Sequence, residues 1–586
     1  MTSTTGRSTD DSSDAGGGDA VPDEQTQDAG PAVAEALDEI HSDAGVSGDA
    51  GTVVEEPGAQ VLATSEDTAA EANHETPWDL IVVQGNRVVG GEMLDHDNGL
   101  GFAFTDVTQA AGLAAPQWDI PESFQTYPCQ HALYVTGGAA AMDINDDGWT
   151  DLFVTRLEKP NQLYLNNRDG TFRDVAAVLR LNVTRWSNGP AFADVDGDAD
   201  LDLFITTAGP ARAMLFINLG GGKFIEEAAL RGVNIGRTDG CSELTSATFG
   251  DYDHDGDLDL FVGHWASGES NYNFLFKNDG SGHFSNVTQA AGLGNLAPRG
   301  YSSGFMDADG DGWEDLFIVA DFWNSQLFHN NGNGTFTNVT RQAGVGVEED
   351  GMGSALADVN GDGFPDWFVS NAYEEGITMG NRMYINRGDG TFDDRSESYG
   401  VTQGGWGWGA LLFDVNNDGQ LDASNISGWI DQDESPTLWL GGALPWPSAA
   451  VTARIHRPVN GRAYVPLDFD RDGDLDVFMV QNGAAPILYR NDVAAAKHWL
   501  VVKARGRTSN VHGIGARVEL RHPNGTTQYR WITGNTNFLG HGPFEAHFGL
   551  GEDEGPFTVR VIWPASGRSI THGRVPADQV ITLEEP

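Results

Sequence analysis

The chain is poor in cysteine, in lysine and in long apolar runs. Its 586 residues include two cysteines, Cys129 and Cys241. Two cannot build a disulfide framework, and with no C-x-x-C spacing a cysteine zinc site is not expected. One bond between them and two unlinked buried thiols stay equally open. Five lysines stand among 33 basic residues, against 86 acidic ones, for a net charge of −53. Such a surface repels phosphates, which excludes nucleic-acid binding as the main activity. No run of eighteen apolar residues occurs, so no transmembrane helix is expected. The opening "MTSTTGRSTDDSSDAGGGDA" lacks the basic start and apolar stretch of a secretory signal peptide. No G-x-S-x-G, H-E-x-x-H or P-loop is present.

What is abundant is glycine, at 76 residues, with 39% hydrophobic residues. That balance favours many turns and a β-rich globular chain of more than one domain. Residues 1–78 hold 18 acidic residues and one arginine among Gly, Ala, Ser and Thr. They read as a disordered acidic tail, because they bury too little apolar area to offset ordering entropy. "LIVVQGNRVVGG" then predicts a short β-hairpin or linker over 79–98.

From residue 99 the chain repeats itself. "FTDVTQAAGL" (104–113) returns as "FSNVTQAAGL" (284–293) and "FTNVTRQAGV" (336–345). "LYLNNRDGTF" (163–172) has counterparts at 275, 327 and 383. An aspartate loop occurs seven times, starting at 143, 194, 251, 307, 358, 414 and 468. A period near 50 residues with four short strands per unit describes a propeller blade. The expected fold is all-β: a seven-bladed β-propeller over 99–492, then a separate small all-β domain over 493–586. The last unit lacks its outer strand and the chain begins with a spare one. Segment 102–108 is therefore expected to close the last blade and remove two open edges.

The spacing within the loops has a physical cause. Ca²⁺ prefers six to eight hard oxygen donors, and alternate positions of a tight turn can converge on one point. The first ligand position holds Asp143, Asp194, Asp251, Asp307, Asp358, Asp414 and Asp468. The third holds Asn145, Asp196, Asp253, Asp309, Asn360, Asn416 and Asp470. The fifth holds Asp147, Asp198, Asp255, Asp311, Asp362, Asp418 and Asp472. The seventh offers a backbone carbonyl from Trp149, Asp200, Asp257, Trp313, Phe364, Gln420 and Asp474. The ninth holds Asp151, Asp202, Asp259, Asp315, Asp366, Asp422 and Asp476. These loops concentrate 30 of the 86 acidic residues. Without a cation those carboxylates repel one another. Up to seven Ca²⁺ are expected as structural ligands. In "DVDGDADLD" (194–202), Ala199 replaces the glycine that permits a left-handed turn. That site is expected to be occupied but the weakest or most distorted of the fully acidic ones.

The loops and the "LYxNxGDGTFxDVT" phrases resemble the FG-GAP/VCBS repeat family, whose members form calcium-studded seven-bladed propellers, the integrin α head among them. The tail segments Ser509–Val518, His547–Gly551 and Val561–Gly567 resemble the ASPIC and UnbV domain. The combination is that of the cartilage acidic protein-like family. The resemblance implies calcium binding, an extracellular or cell-surface setting, and adhesion or ligand recognition. The missing signal-peptide pattern keeps a cytoplasmic setting open.

In such a propeller the aspartate loops lie on one face and a ligand meets the other. Residues six to eight positions before each loop then line the channel mouth: Trp186, Glu243, Arg299, Tyr301, Asp350, Met352, Trp406, Trp408 and Arg462. Trp265, Tyr272, Trp323, Tyr373 and Trp429 are expected beside them. This aromatic, mixed-charge rim suits a protein, glycan or small polar ligand. If the chain is instead an enzyme (a cyclase, lyase or hydrolase), Glu243 or Asp350 is the acid or base to test. Six histidines after residue 497 lack metal-ligand spacing and read as ordinary strand or turn residues.

Overall fold

A computed structural model describes residues 98–117, 129–236, 241–265, 273–294, 299–373, 378–429, 433–494 and 496–586. The acidic segment 1–78, the hairpin expected next and Tyr272 lie outside the described residues. Among the described residues no helix is long and apolar enough to cross a membrane.

The chain is nearly all β. Each repeat forms an antiparallel unit with its strands in chain order. In the second repeat these are Thr184–Ala193, Asp202–Gly209, Met214–Asn218 and Phe224–Glu226. The aspartate loop joins the first strand to the second in every repeat, and the Gly/Asn turn joins the third to the fourth. The sixth repeat has three strands, Gly407–Phe413, Asp422–Ser427 and Thr437–Trp439. In the seventh, Phe102–Asp106 pairs with Ile487–Val493, from Phe102 opposite Val493 to Asp106 opposite Tyr489. Phe102 and Phe104 are thereby buried in the same core as Tyr489.

Two features bind neighbouring repeats. On the first-strand side, hydroxyls donate to carbonyls of the next repeat: Thr155 to Asn188 at 2.5 Å, Thr245 to Gly300 at 2.7 Å and Ser302 to Met352 at 2.5 Å. The approach is so close that a Cβ at Gly138 would collide with the Asn188 carbonyl oxygen. On the loop side, the asparagine of "LYxN" reaches the repeat before it. Asn278 Nδ2 donates to the Val195 carbonyl at 2.8 Å, Asn330 to Tyr252 at 2.8 Å and Asn386 to Ala308 at 2.8 Å. Asn166 of the first repeat donates to the Phe469 carbonyl of the seventh at 2.8 Å, so the last repeat lies against the first. In the sixth repeat Gly441 stands where the asparagine would be, because a Cβ there would collide with the Leu421 carbonyl oxygen.

The C-terminal part forms two sheets. One orders Ala546–Gly551, His498–Arg505 and Gln579–Glu584; the other orders Thr527–Trp531, Arg517–Arg521, Phe557–Ile562 and Ser569–Val575. It has its own core around Phe548, Phe557 and Trp563. From this part residues 534–541 run in among the first strands of the repeats. Gly540–His541 pairs in parallel with Ala139 and Ala140. Thr248 Oγ1 donates to the Asn535 carbonyl at 2.8 Å, and Asn537 Nδ2 to the Tyr464 carbonyl at 2.7 Å. The Ala410 amide donates to Asn537 Oδ1 at 2.8 Å. Phe538 and Leu539 are fully buried there. This plug satisfies backbone groups that the first strands would otherwise leave open to the channel.

Candidate metal centres and the opposite channel mouth

All seven loops share one internal hydrogen-bond pattern. The first aspartate accepts the amide of position six, as Asp143 does from Gly148 at 2.8 Å and Asp194 from Ala199 at 2.9 Å. The fifth accepts the amide of position seven, as Asp198 does from Asp200 at 3.0 Å. The ninth is buried and accepts the amide of the residue that closes the "LYxN" phrase, as Asp202 does from Asn218 at 2.7 Å. These bonds aim the carboxylates inward. Asp194, Asp196 and Asp202 each present an oxygen within 4.8 Å of the others, as do Asp251, Asp253 and Asp255, Asp307, Asp309 and Asp311, and Asp468, Asp470 and Asp476.

Burial without a counter-charge shows in the proton affinities. Desolvation, and then the neighbouring carboxylates, push Asp202 up to about 8 and Asp251 up to about 7. Burial likewise lifts Asp366 to about 8. At position three, Asp196 Oδ1, Asp253 Oδ1 and Asp470 Oδ1 are buried with no hydrogen-bond partner among the described residues. Orphaned, inward-facing carboxylate oxygens are what a hard cation would satisfy, so the donor set fits calcium.

Two loops contain groups that the sequence did not single out. Lys277, on the third strand of its repeat, pairs with Asp253 and with Asp255, the latter at 3.0 Å. Its ammonium therefore sits on two expected ligands of the third loop. His329 Nδ1 lies 3.3 Å from Asp309 and 3.2 Å from Asp315, which adds a nitrogen donor to the fourth. Both belong to the "LFxN" phrase, one residue before the asparagine. A side chain at that register reaches back over the loop of its own repeat, and that register is the signal that could have found them.

The C-terminal part lies over this face. His547 Nε2 is 2.9 Å from the Gly473 carbonyl of the seventh loop. Arg530 stands beside Asp414 and Asp358, and Lys503 beside Asp143. A cleft of about 660 Å³ opens where the fifth and sixth loops meet it, lined by Asp358, Asn360, Asp418, His522 and Gln528 among others.

The opposite mouth is more closed than the sequence suggested. Residues 129–136 run across it, held by a disulfide from Cys129 to Cys241 with Cα atoms 5.3 Å apart. Asn482 Nδ2 donates to the Leu133 and Thr136 carbonyls at 2.7 and 2.9 Å. Beneath, several expected rim residues are packed away. Arg462 is fully buried, over the Trp408 ring at 4.3 Å, with Nη1 donating to Asn460 Oδ1 at 2.8 Å and Nε to the Tyr134 carbonyl. Trp408 donates to the Gly428 carbonyl at 2.7 Å and packs on Phe538 of the plug, and Tyr301 and Met352 are buried with them. Trp186 is buried and donates to Glu158 at 3.0 Å. Trp406 stacks on Trp429, ring centres 4.7 Å apart, and both are partly exposed. Tyr373, partly exposed, donates its amide to the Gly405 carbonyl at 2.9 Å.

One contiguous group remains at the edge of the mouth. Glu243 is buried and bound to His131 Nδ1 at 2.7 Å. His131 stacks on Trp265 at 3.7 Å, and Trp265 Nε1 donates to Asp321 Oδ2 at 3.0 Å. Asp321 and Asp350 face each other across a backbone bridge and share a side-chain hydrogen bond. Burial, ahead of the Asp350 charge, lifts Asp321 to about 7. Arg299 lies over Trp265 at 5.7 Å and Phe322 at 4.4 Å. Of this group the sequence picked out Glu243, Arg299, Asp350 and Trp265. It missed His131, Asp321 and Phe322, which lie outside the repeated phrases.

Comparison with known proteins follows the same division. The FG-GAP-like repeat model matches residues 143–205, 194–262, 307–369 and 372–423, and the ASPIC and UnbV model matches 506–586. Cartilage acidic protein 1 of Mus musculus is 25% identical over 498 residues, covering 76% of this chain and 72% of that protein. Cartilage acidic protein 1 of Xenopus tropicalis is 24% identical over 508 residues, covering 78% and 74%. The crystal structure of BBS1N in complex with ARL6DN, soaked with mercury, matches at 11% identity and a TM-score of 0.37, over 61% of this chain and 92% of that one. This chain carries FG-GAP-like repeats followed by a C-terminal ASPIC and UnbV domain.

Proposed function

We propose that this is a calcium-bound, seven-bladed propeller protein that acts outside the cell or on its surface, in adhesion or ligand recognition. The observation that carries the reading is the set of buried, unpartnered carboxylate oxygens at Asp196, Asp253 and Asp470 inside loops of one shared geometry. In each loop, the side chains at positions one, three, five and nine and the carbonyl at position seven would hold the ion. The ion would supply the positive charge that lets the carboxylates stay ionised while buried. Its role there is structural, since the loop side chains and the C-terminal part crowd the site. The Cys129–Cys241 disulfide favours an oxidising compartment. Calcium there is abundant enough to fill even weak sites.

The test is thermal unfolding in chelator and in millimolar calcium, with calorimetric titration for stoichiometry. A large upward shift and several bound ions are expected. Identical melting in both conditions would sink the reading. A second reading, acid–base catalysis at the mouth, draws on one observation, the hydrogen-bonded Asp321–Asp350 pair. A turnover found in a substrate screen and abolished by Asp350→Asn would establish it.

A further inference from the structure

The edge of the mouth carries an arrangement that packing does not account for. Phe322 and Trp323 are consecutive, 50% and 53% exposed, and both are left-handed, at φ 57° and 63°. Bulky residues rarely adopt that conformation. Here the backbone is pinned on both sides. The Asp321 amide donates to the Arg299 carbonyl at 3.1 Å, and the Trp323 amide to Glu349 at 3.0 Å. Asn324 Nδ2 closes the turn on the Asp321 carbonyl at 2.7 Å. The turn thus presents two aromatic rings to solvent beside half-buried Asp350 and Arg299. The Arg299 Nε is buried with no hydrogen-bond partner among the described residues.

We infer that this turn, with Asp350, Asp321 and Arg299, binds the ring of a neutral sugar in a glycan. The inference rests on the recognition reading above and names its ligand class. Three physical points select it. The negative face of Trp323 attracts the weakly positive C–H face of a pyranose, with the exposed Phe322 ring beside it. Half-buried Asp350, backed by Asp321, offers acceptors for vicinal hydroxyls, and Arg299 offers donors to the same ring. Charge excludes the alternatives. An anionic ligand meets Glu243, Asp321 and Asp350 on a chain of net charge −53. A cationic ligand meets Arg299, whose guanidinium already occupies the faces of Phe322 and Trp265. An uncharged, hydroxyl-rich ring with one apolar face satisfies both groups.

The experiment is saturation-transfer NMR on the full, calcium-loaded chain with a panel of methyl glycosides (gluco, galacto, manno, fuco and xylo) and their oligosaccharides. A lysine-rich peptide and a polyuronate serve as charged comparators. At least one neutral glycoside should receive saturation, mainly at its ring C–H protons. Trp323→Ala and Asp350→Asn should each weaken that binding about tenfold or more, while Val451→Ala, at a distant exposed residue, leaves it unchanged. Calcium-dependent melting of every variant shows that each is folded. No transfer to any neutral glycoside, or transfer unaltered in both variants, overturns the inference. Binding of only the peptide or the polyuronate, weakened by Trp323→Ala, overturns the sugar assignment while leaving recognition at the mouth standing. Loss of the calcium shift in the parent chain would instead fault the calcium reading.

Discussion

Substituting Ala199 by glycine should stabilise the second loop. In each of the seven loops, positions four and six are left-handed. Position four tolerates Asp146, His254, Asn417 and Arg471, with φ between 53° and 62°. Position six is more demanding. Its glycines lie between 85° and 97°, from Gly148 to Gly256, whereas Ala199 stops at 74°. The alanine has moved toward the conformation an L-residue can hold, yet its amide still reaches Asp194 at 2.9 Å. The left-handed state costs alanine about 1–2 kcal/mol. Glycine returns about 0.4–1 kcal/mol of that through the freer unfolded chain. The net gain for Ala199→Gly is then about 0.5–1 kcal/mol. In a chain this long that raises Tm by only about 1–2 °C, so urea unfolding in chelator is the better assay. Ala199→Val should lose about 2 kcal/mol or more, because a β-branched residue there is an outlier. If glycine fails to stabilise and valine is neutral, position six does not require a left-handed residue.

Three further outcomes are expected. Cys129→Ser should destabilise the fold by about 4–5 kcal/mol in the chain-entropy picture, since the bond closes a sequence separation of 112 residues; reducing-agent titration of the parent chain checks it, and equal stability in both states refutes it. Lys277→Gln should raise calcium affinity or add one bound ion in calorimetry, because the ammonium now occupies Asp253 and Asp255; an unchanged isotherm means that Lys277 yields its place without cost. His541 is fully buried in the plug, its Nδ1 accepting the Phe192 amide at 3.2 Å, and burial lowers it to about 3 from an ordinary 6.5. The unfolded chain therefore binds more protons below pH 6.5, and stability falls as the pH drops. From pH 7.5 to pH 5 the loss from this group is about 2 kcal/mol. His541→Gln should flatten that slope in urea unfolding, and an equal slope in both proteins counts against the buried neutral imidazole.

The repeat was legible because each loop carries its geometry in side-chain type. Aspartate at positions one, five and nine, and a left-handed residue at position six, are local demands that composition records. The plug was not legible. "NTNFLGH" (535–541) has neither period two nor period 3.6, and its asparagines bond to strands 73 to 288 residues away. The pairing of Cys129 with Cys241 could not be read from spacing alone either. Arg462 was misplaced for a different reason. A lone arginine near a mouth reads as exposed, yet here its charge is met by the Trp408 face, by carbonyls and by Asn460. Burial of that kind depends on which backbone carbonyls the fold leaves unfilled, and no residue type announces it.

The two ends of the channel are therefore unequal in what they can recognise. Residues 498–586 carry nine of the 33 basic residues, and Arg530 and Lys503 among them stand against loop aspartates. The same segment sends the plug inward, so the loop face meets cations and the ASPIC and UnbV part before it meets any partner. Recognition through that face would require displacing His547 from Gly473 and the strands behind it. At the other end the cap is pinned by one disulfide and a few side-chain bonds, and its edge leaves Phe322 and Trp323 in solvent. A ligand at that turn meets two half-exposed rings and the half-buried Asp350 without displacing the cap. The cost of desolvation thus favours the proposed recognition at the fourth repeat's turn over any at the aspartate loops, which the C-terminal part overlies.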